Sequence, residues 1–554
     1  MRILGISPAH DSSVAVINDG KIEFFVKEER LSRIKRDKQP YLALYQALQN
    51  CKGKVDAVVL SSPSEEEYTF LQLDLAKKLF NVDVVHQMSH LHHLSHASLA
   101  FYNSGFEKSL VVVVDRNGSP IQNIARESET VFAFEYPNIF TEIYKNYWLY
   151  EMGSNTSPRI NQIFENEKLN KPECTFLYNS CFGITKVYES ATTLIGQHIL
   201  ENGKTMGLSA YGTPSEFPSL FLEDGSIIDS YFTHENIDGQ AVSIFNKYKE
   251  CKTLTVSKDD HKLYADYAYQ VQQQTQKQVL KLIKNSIKKT GIKDVCITGG
   301  YGLNVVANSY YIKNLPDVNF FFEPLADDSG NSIGAAMFLY RELTKDKTIY
   351  PLKDTFFNGI NHDLSKVNNI GENCSLENIV SMLLDQKSVA IYEGLSEAGP
   401  RALGHRSILF DARNVNAKEI VNTIKKREWY RPFAACVLEE DADQFFNMTI
   451  KSSDYMTISF DVLSEAVNLI PGVVHVDNTC RIQTITKDNP TMYELLTEFK
   501  KQSGIGVLLN TSFNLAGDPL VETPEEALKV LTNSTLDALW FPEVKKVFNN
   551  PSRQ

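Results

Sequence analysis

The stretch from residue 345 to 372 is polar and rich in turn formers, with Pro351, Asn358-Gly359 and Gly371, and it cuts a chain of 554 residues in two. A single core rarely serves a chain of this size, since a domain typically holds roughly 100 to 200 residues. The cut predicts an N-terminal domain over 1–350, a linker over 351–372 and a C-terminal domain over 373–554. Ile3 to Ile6, Ser13 to Asn18 and Lys21 to Lys27 are apolar-rich runs, the last two separated by Asp19-Gly20, so a strand followed by a hairpin is expected at the start. Further strands are expected at Ser109 to Asp115 and at Asp294 to Thr298. Lys262 to Lys289 carries Leu263, Tyr267, Val271, Val279, Leu280 and Ile283 among Gln and Lys, the pattern of a long amphipathic helix. Ser388 to Tyr392 opens a strand beyond the cut, where short strands and helices mix as in an α+β domain. The fold class is α/β.

Charge narrows the choice of partners. The formal net charge is −12, which repels a polyanion unless a basic patch is locally concentrated, whereas a small phosphorylated ligand needs only a few cations. Eight cysteines lie dispersed without a C-x-x-C pair, so they are expected to be buried free thiols of a reducing compartment. The apolar run at Ile3 breaks too early for a signal peptide, and no stretch approaches the ~20 apolar residues of a membrane span. A cytoplasmic protein with no membrane partner is expected.

Five of twelve histidines fall between His86 and His96. His92 and His96 are four apart, so on a helix both imidazoles project from one face, and Asp115 offers a hard oxygen. This set fits a metal site, and it equally fits imidazoles lining a helix surface. Three stretches are shaped for phosphate. Gly203-Lys204-Thr205-Met206-Gly207 lacks the full Walker spacing but offers a Gly-flanked cation with backbone donors. Gly299, Gly300 and Asn304, in Thr298-Gly299-Gly300-Tyr301-Gly302-Leu303-Asn304, follow a strand and fit either an anion-binding turn or a plain tight turn. Asp328, in Ala326-Asp327-Asp328-Ser329-Gly330, fits either a helix cap or a fourth metal ligand.

Beyond the cut, Gly399-Pro400-Arg401 fixes a cation in a Gly/Pro loop, and Lys425, Lys426, Arg427 and Arg431 cluster beside Trp429, Tyr430 and Phe433. Cations against apolar walls favour a desolvated anion, with Arg forks matching phosphate or carbamate oxygens, although a solvated basic face has the same composition. Ser512 and Asn514 add short polar donors after a strand over Val507 to Leu509.

Together the His10–Ser13 start, Glu28-Glu29-Arg30, the His92/His96 pair, Gly203 to Gly212, Thr298 to Asn304, Gly399 to Leu409, Arg427 to Ala434, His475 to Thr484 and Leu508 to Asn514 resemble the NodU/CmcH family of O-carbamoyltransferases, in order over nearly the whole chain. The resemblance implies an N-terminal domain of the actin/sugar-kinase (ASKHA) superfamily, similar to threonylcarbamoyl transferases, and a C-terminal YrdC-like domain. It implies that Arg401, Lys425, Arg427, Arg431, Arg481, Ser512 and Asn514 grip carbamoyl phosphate and ATP with Mg²⁺ to make carbamoyl-AMP. Lys204, Gly299, Gly300 and Asn304 would hold that adenylate in the N-terminal domain. His92, His96, Asp115 and Asp328 would hold a divalent metal, Fe²⁺ in such proteins, and His10 would deprotonate the acceptor hydroxyl.

The acceptor itself is unnamed by the sequence: a small molecule, a sugar and a modified nucleobase all offer a hydroxyl, and the resemblance leaves room for a homodimer. Two departures from the family pattern bear on acceptor choice, namely Arg116-Asn117-Gly118 after Asp115 and Arg36 in place of a usual histidine. The competing classes are a nucleotide-binding regulatory protein and a sugar or acetate kinase of the same superfamily. A kinase has no need of the second, Arg-rich domain.

Overall fold

The computed structural model describes residues 1–63, 67–122, 124–150, 158–235, 240–243, 261–352 and 357–553. The chain forms two compact units, Met1–Glu28 with Arg36–Lys353 and Glu29–Lys35 with Asp354–Gln554.

The first unit holds two sheets built on one plan. In the first sheet, β1 (Arg2–Ser7) pairs antiparallel with β2 (Ser13–Asn18), and β2 pairs antiparallel with β3 (Lys21–Lys27). On the other flank of β1, β4 (Ala57–Leu60) and β5 (Val85–Gln87) run parallel, giving the order β3-β2-β1-β4-β5. The hairpin forms where expected because Asp19 and Gly20 both adopt positive φ, the backbone a tight two-residue turn demands.

The second sheet centres on β6 (Lys108–Val114), with the short β7 (Pro120–Ile121) beside β8 (Ala125–Glu135). β6, β8 and β9 (Ile139–Leu149) are antiparallel neighbours, and β10 (Thr175–Ser180) extends that flank. A ribbon of β11 (Phe232–Glu235) and β12 (Gln240–Ser243) stands apart. Parallel to β6 run β13 (Asp294–Thr298) and then β14 (Asn319–Phe322). The second sheet thus repeats the first in β9-β8-β6-β13-β14, three antiparallel strands joined to two parallel ones, and adds β7 and β10.

The helix Asn331–Thr344 packs on β1 at van der Waals limit: a Cβ on Gly5 would sit 1.9 Å from the Ser332 carbonyl oxygen. The helix His92–Ser104 meets the same helix at Gly334, where a Cβ would sit 2.0 Å from the Ser95 carbonyl oxygen. The two glycines draw three elements together and so set the spacing of side chains near their ends. The expected long helix runs Lys262–Thr290 and stops at Gly291, which is left-handed.

The second unit is one mixed sheet. Along it stand β15 (Glu372–Asn373), β23 (Lys546–Asn549), β22 (Ala538–Phe541), β16 (Val389–Tyr392), β17 (Arg406–Asp411), β21 (Val507–Ser512), β18 (Ala434–Leu438), β20 (Thr479–Ile485) and β19 (Ser459–Asp461). Side chains alternate between faces, so Val389 and Ile391 enter one apolar cluster with Leu495 and Phe499 while Ala390 and Tyr392 enter another with Ile424 and Leu531. Both faces are thus covered, which explains the unbroken burial of β16, β17 and β18. Among the described residues no helix is long and apolar enough to cross a membrane.

Candidate active site

The histidine pair begins the helix His92–Ser104, whose first backbone N–H donates to the Ser119 hydroxyl at 3.0 Å. Its imidazoles meet two carboxylates from distant strand ends. Asp115 follows β6, and Asp328 sits in the turn between β14 and the helix Asn331–Thr344. That turn is tied to the first sheet: Ser7 donates to the Asp328 carbonyl at 3.0 Å, and Ser13 to the Ser329 carbonyl at 2.6 Å. Asp327, not Asp328, is the cap, accepting from Ser329 N–H, so Asp328 is left to face the histidines.

One ligand atom from each of His92, His96, Asp115 and Asp328 lies within 4.8 Å of the others. Asp328 Oδ1 is 3.4 Å from His92 Nε2 and 3.2 Å from His96 Nε2, and Asp115 Oδ2 is 3.7 Å from His92 Nε2. All four residues are at most 7% exposed, and neither nitrogen of His92 has a hydrogen-bond partner among the described residues. Two buried imidazoles with two carboxylates and orphaned nitrogen atoms fit a first-row divalent cation. Burial opposes charge on His92, but Asp328 and Asp115 outweigh it and push its pKa up to about 10. The same histidines hold Asp328 and Asp115 below the usual carboxylate range despite their burial. His93, on the same helix, faces away to Thr130 at 2.7 Å, and burial lowers its pKa to about 4.

His10 joins this group from the end of β1. Its Nε2 is 3.4 Å from Asp328 Oδ2 and its Nδ1 2.9 Å from Asp11 Oδ2. Desolvation lowers its proton affinity, but Asp328 and Asp11 prevail and raise the pKa to about 9. This differs from the unperturbed value near 6.5 that a free imidazole brings to neutral pH.

The phosphate-shaped stretches have partners within the protein. Lys204 lies inside the helix Asn202–Ser209, and its amine pairs with Glu201 at 3.0 Å and Gln197 at 2.7 Å. Gly299 has φ +79°, and a Cβ there would lie 2.5 Å from the Val114 carbonyl oxygen. Gly300 donates its N–H to Asp115 Oδ1 at 3.0 Å. Asn304 caps the helix Val305–Asn314 and exchanges hydrogen bonds with Gln272. The departures Arg116 and Arg36 find local partners: Arg116 Nε donates to Glu189 at 2.6 Å, and Arg36 donates to the Leu200 carbonyl at 2.8 Å.

In the second unit, Lys425 ends the helix Ala417–Lys425 with its amine buried against the end of β21. It donates to the Ser512 carbonyl, to Ser512 Oγ at 3.2 Å and to Asn514 Oδ1 at 3.0 Å. Ser512 closes the strand itself, which runs three residues past the expected Leu509. Arg427 reaches Thr511 Oγ1 at 3.4 Å, with Phe433 under its guanidinium at 5.1 Å. Burial, then Arg427 and Arg431, depress the proton affinity of Lys425, and burial, then Arg431, Arg481 and Arg401, that of Arg427. Burial chiefly brings Arg481 down to about 10. Five cations thus crowd one region, and Arg427 Nε and Arg481 Nε have no hydrogen-bond partner among the described residues.

Residues 2–62 and 58–337 match the carbamoyltransferase N-terminus family profile, and residues 380–546 match the carbamoyltransferase C-terminus profile. The chain belongs to the carbamoyltransferase family. This carbamoyltransferase is 27% identical to Nodulation protein NolNO of Sinorhizobium fredii, over 96% of this chain and 78% of that one. It is also 27% identical to Nodulation protein U of Bradyrhizobium diazoefficiens, over 93% and 92%. Among solved structures it is similar to full-length HypF in its phosphate- and nucleotide-bound form, at 13% identity and a TM-score of 0.38 over 62% of this chain and 56% of that one.

Three residues beside the first site of the carbamoyltransferase escape a reading of motifs. Asp11 holds His10, and Asn331 donates to His96 Nε2 at 3.1 Å. Asp327 takes Lys27 at 2.9 Å. Asp11 falls within the His10–Ser13 stretch, but its place beside His10 rests on backbone: Ala9 and Asp11 both have positive φ, a conformation non-glycine residues seldom take and one the sequence does not announce.

Proposed function

We propose that this carbamoyltransferase activates carbamoyl phosphate with ATP in its second unit and passes the carbamoyl group to an acceptor hydroxyl in its first. The observation that carries the reading is the group of buried Lys425 with the half-buried Arg427, Arg431, Arg481 and Arg401, in which neighbouring guanidinium groups lower the proton affinity of Lys425 and Arg427 and two Nε atoms have no hydrogen-bond partner among the described residues. Charge so concentrated suits a polyanion, and two phosphorylated substrates together supply one.

In the first step, the C–O bond of carbamoyl phosphate to phosphate is replaced by one to water, giving carbamate, phosphate and a proton. A carbamate oxygen then attacks the α-phosphorus of ATP, held with Mg²⁺, and pyrophosphate leaves with the bonding electrons. The guanidinium groups stabilise the oxygens on which negative charge accumulates, and Lys425, fixed by Ser512 and Asn514, adds a point charge. A YrdC-like fold suits this chemistry, and the mixed sheet covered on both faces is compatible with it.

The first unit's two sheets of one plan support an ASKHA-type fold, with His10, Asp115 and Gly299–Gly300 at strand ends. His92, His96, Asp115 and Asp328 would hold a divalent cation, iron by the family resemblance. A cation held there would supply positive charge to the adenylate phosphate and offset the carboxylate charge around His10. His10, oriented by Asp11, then takes the proton of the acceptor hydroxyl, whose oxygen attacks the carbamoyl carbon and expels AMP. The acceptor is a hydroxyl-bearing small molecule, sugar or modified nucleobase.

Pyrophosphate release that requires both ATP and carbamoyl phosphate tests the first step. Release of pyrophosphate without carbamoyl phosphate, or of ADP in its place, would exclude it and favour a kinase.

A further inference from the structure

Glu29–Lys35 lies far from residues 354–554 in sequence and yet belongs to the second unit. Arg33 fastens it there, donating to the carbonyls of Leu520 at 2.7 Å and Pro519 at 3.0 Å and pairing with Glu526 at 3.2 Å. Three residues earlier, Arg30 donates through Nη2 to the Gly399 carbonyl at 3.2 Å, two residues before Arg401. The Arg30 side chain is 5% exposed, and its Nε and Nη1 have no hydrogen-bond partner among the described residues. Glu29 comes no closer to Nε than 4.0 Å, and Glu522, whose pKa is lowered in part by Arg30, is hydrogen-bonded to Ser396 instead. At the other end of the segment Lys35 is near enough to Lys425 to repel its charge.

A buried guanidinium with idle donors is costly unless something arrives to use them, since an unmade hydrogen bond of a charged group forfeits its full desolvation cost. We propose that Glu29–Lys35 completes the cationic site of the second unit, with Arg30 donating to a phosphoryl oxygen of a bound substrate. The inference rests on the activation reading of that site and adds a binding residue to it from the opposite end of the chain. The same chemistry is offered by carbamoyl phosphate and by ATP, and separate titrations tell them apart.

The full-length protein, Arg30→Gln and Arg30→Lys are titrated by calorimetry with carbamoyl phosphate and with ATP, and thermal unfolding is recorded for each. Arg30→Gln is expected to weaken one or both ligands by about 10- to 100-fold, the worth of a charge-assisted hydrogen bond. Arg30→Lys keeps the charge opposite Glu522 but not the planar donors, and is expected to weaken the same ligand by at least about threefold. If Arg30→Gln binds both ligands as the wild type does, whatever its unfolding temperature, Arg30 merely balances Glu522 and the proposal is overturned. Should Arg30→Gln fail to fold, an unchanged affinity in Arg30→Lys overturns it equally. A wild type that binds neither ligand sinks the activation reading itself, and the proposal with it.

Discussion

His10 Nε2 lies 3.4 Å from Asp328 Oδ2, while the other oxygen of the same carboxylate faces both metal-site histidines. One side chain thereby links the candidate base to the candidate metal ligands. Loss of either partner is felt at the other.

Replacing His10 by Asn keeps the size and some hydrogen bonding but removes the proton acceptor, a loss of order 10² to 10⁴ in rate. His10→Asn is expected to form pyrophosphate normally and to carbamoylate its acceptor at least about a hundredfold more slowly. Single-turnover product formation equal to wild type would remove His10 from the chemistry.

His92→Ala combined with His96→Ala deletes half of the donor set. The double variant is expected to lose bound metal and carbamoyl transfer while retaining pyrophosphate release. Elemental analysis decides the first point, and equal metal content in variant and wild type would rule the site out.

Lys425→Ala, or Arg401→Ala, withdraws a charge from the crowded site. Pyrophosphate formation is expected to fall at least about thirtyfold, corresponding to about 2 kcal/mol of lost phosphate contact. The fold should survive, because burying Lys425 among like charges already works against its protonation. Near-normal turnover in both variants would contradict the assignment.

Glu323, wholly buried, has its pKa raised by burial from an ordinary 4.5 to about 7. Because the folded value lies above the unfolded one, its contribution is fully present below pH 4.5 and lost as pH rises through 7. The change is on the order of 2 to 3 kcal/mol. Glu323→Gln cannot ionise, and its amide can donate to Asn103 once that amide turns to present Oδ1, which has no hydrogen-bond partner among the described residues, in place of the Nδ2 that now donates to Glu323 at 3.0 Å. Relative to wild type, the variant should therefore gain stability between pH 5 and pH 8, roughly by that amount. Urea denaturation at both pH values checks it: parallel pH profiles would refute the ionisation.

Legibility in the sequence followed the range of the interactions concerned. The Asp19-Gly20 hairpin and the helix Lys262–Thr290 depend on neighbours in the chain, so turn chemistry and periodicity find them. The i, i+4 spacing correctly placed His92 and His96 on one helix face, because that is a property of one helix. What brings Asp328 to them is the packing at Gly5 and Gly334 and the hydroxyls of Ser7 and Ser13, none of which has a local signature. Around Lys204 the flanking glycines said nothing of a helix, yet Thr205 and Leu208 are buried, and tertiary packing holds the segment helical. Family resemblance reached the cations of the second unit, whereas spacing alone left them compatible with a solvated face.

The anchorage of Arg33 on Leu520 and Pro519 spans 487 and 486 residues, and this separation bears on the order of synthesis. Glu29–Lys35 leaves the ribosome long before its partners exist. Closing so wide a loop is an entropic cost that must be met before its contacts reward it. The second unit therefore cannot reach its final form during translation until almost the last strands have emerged. A nascent chain halted before Pro519 should leave Glu29–Lys35 open to proteolysis, and a fragment starting at Asp354 should lack a piece of its own fold.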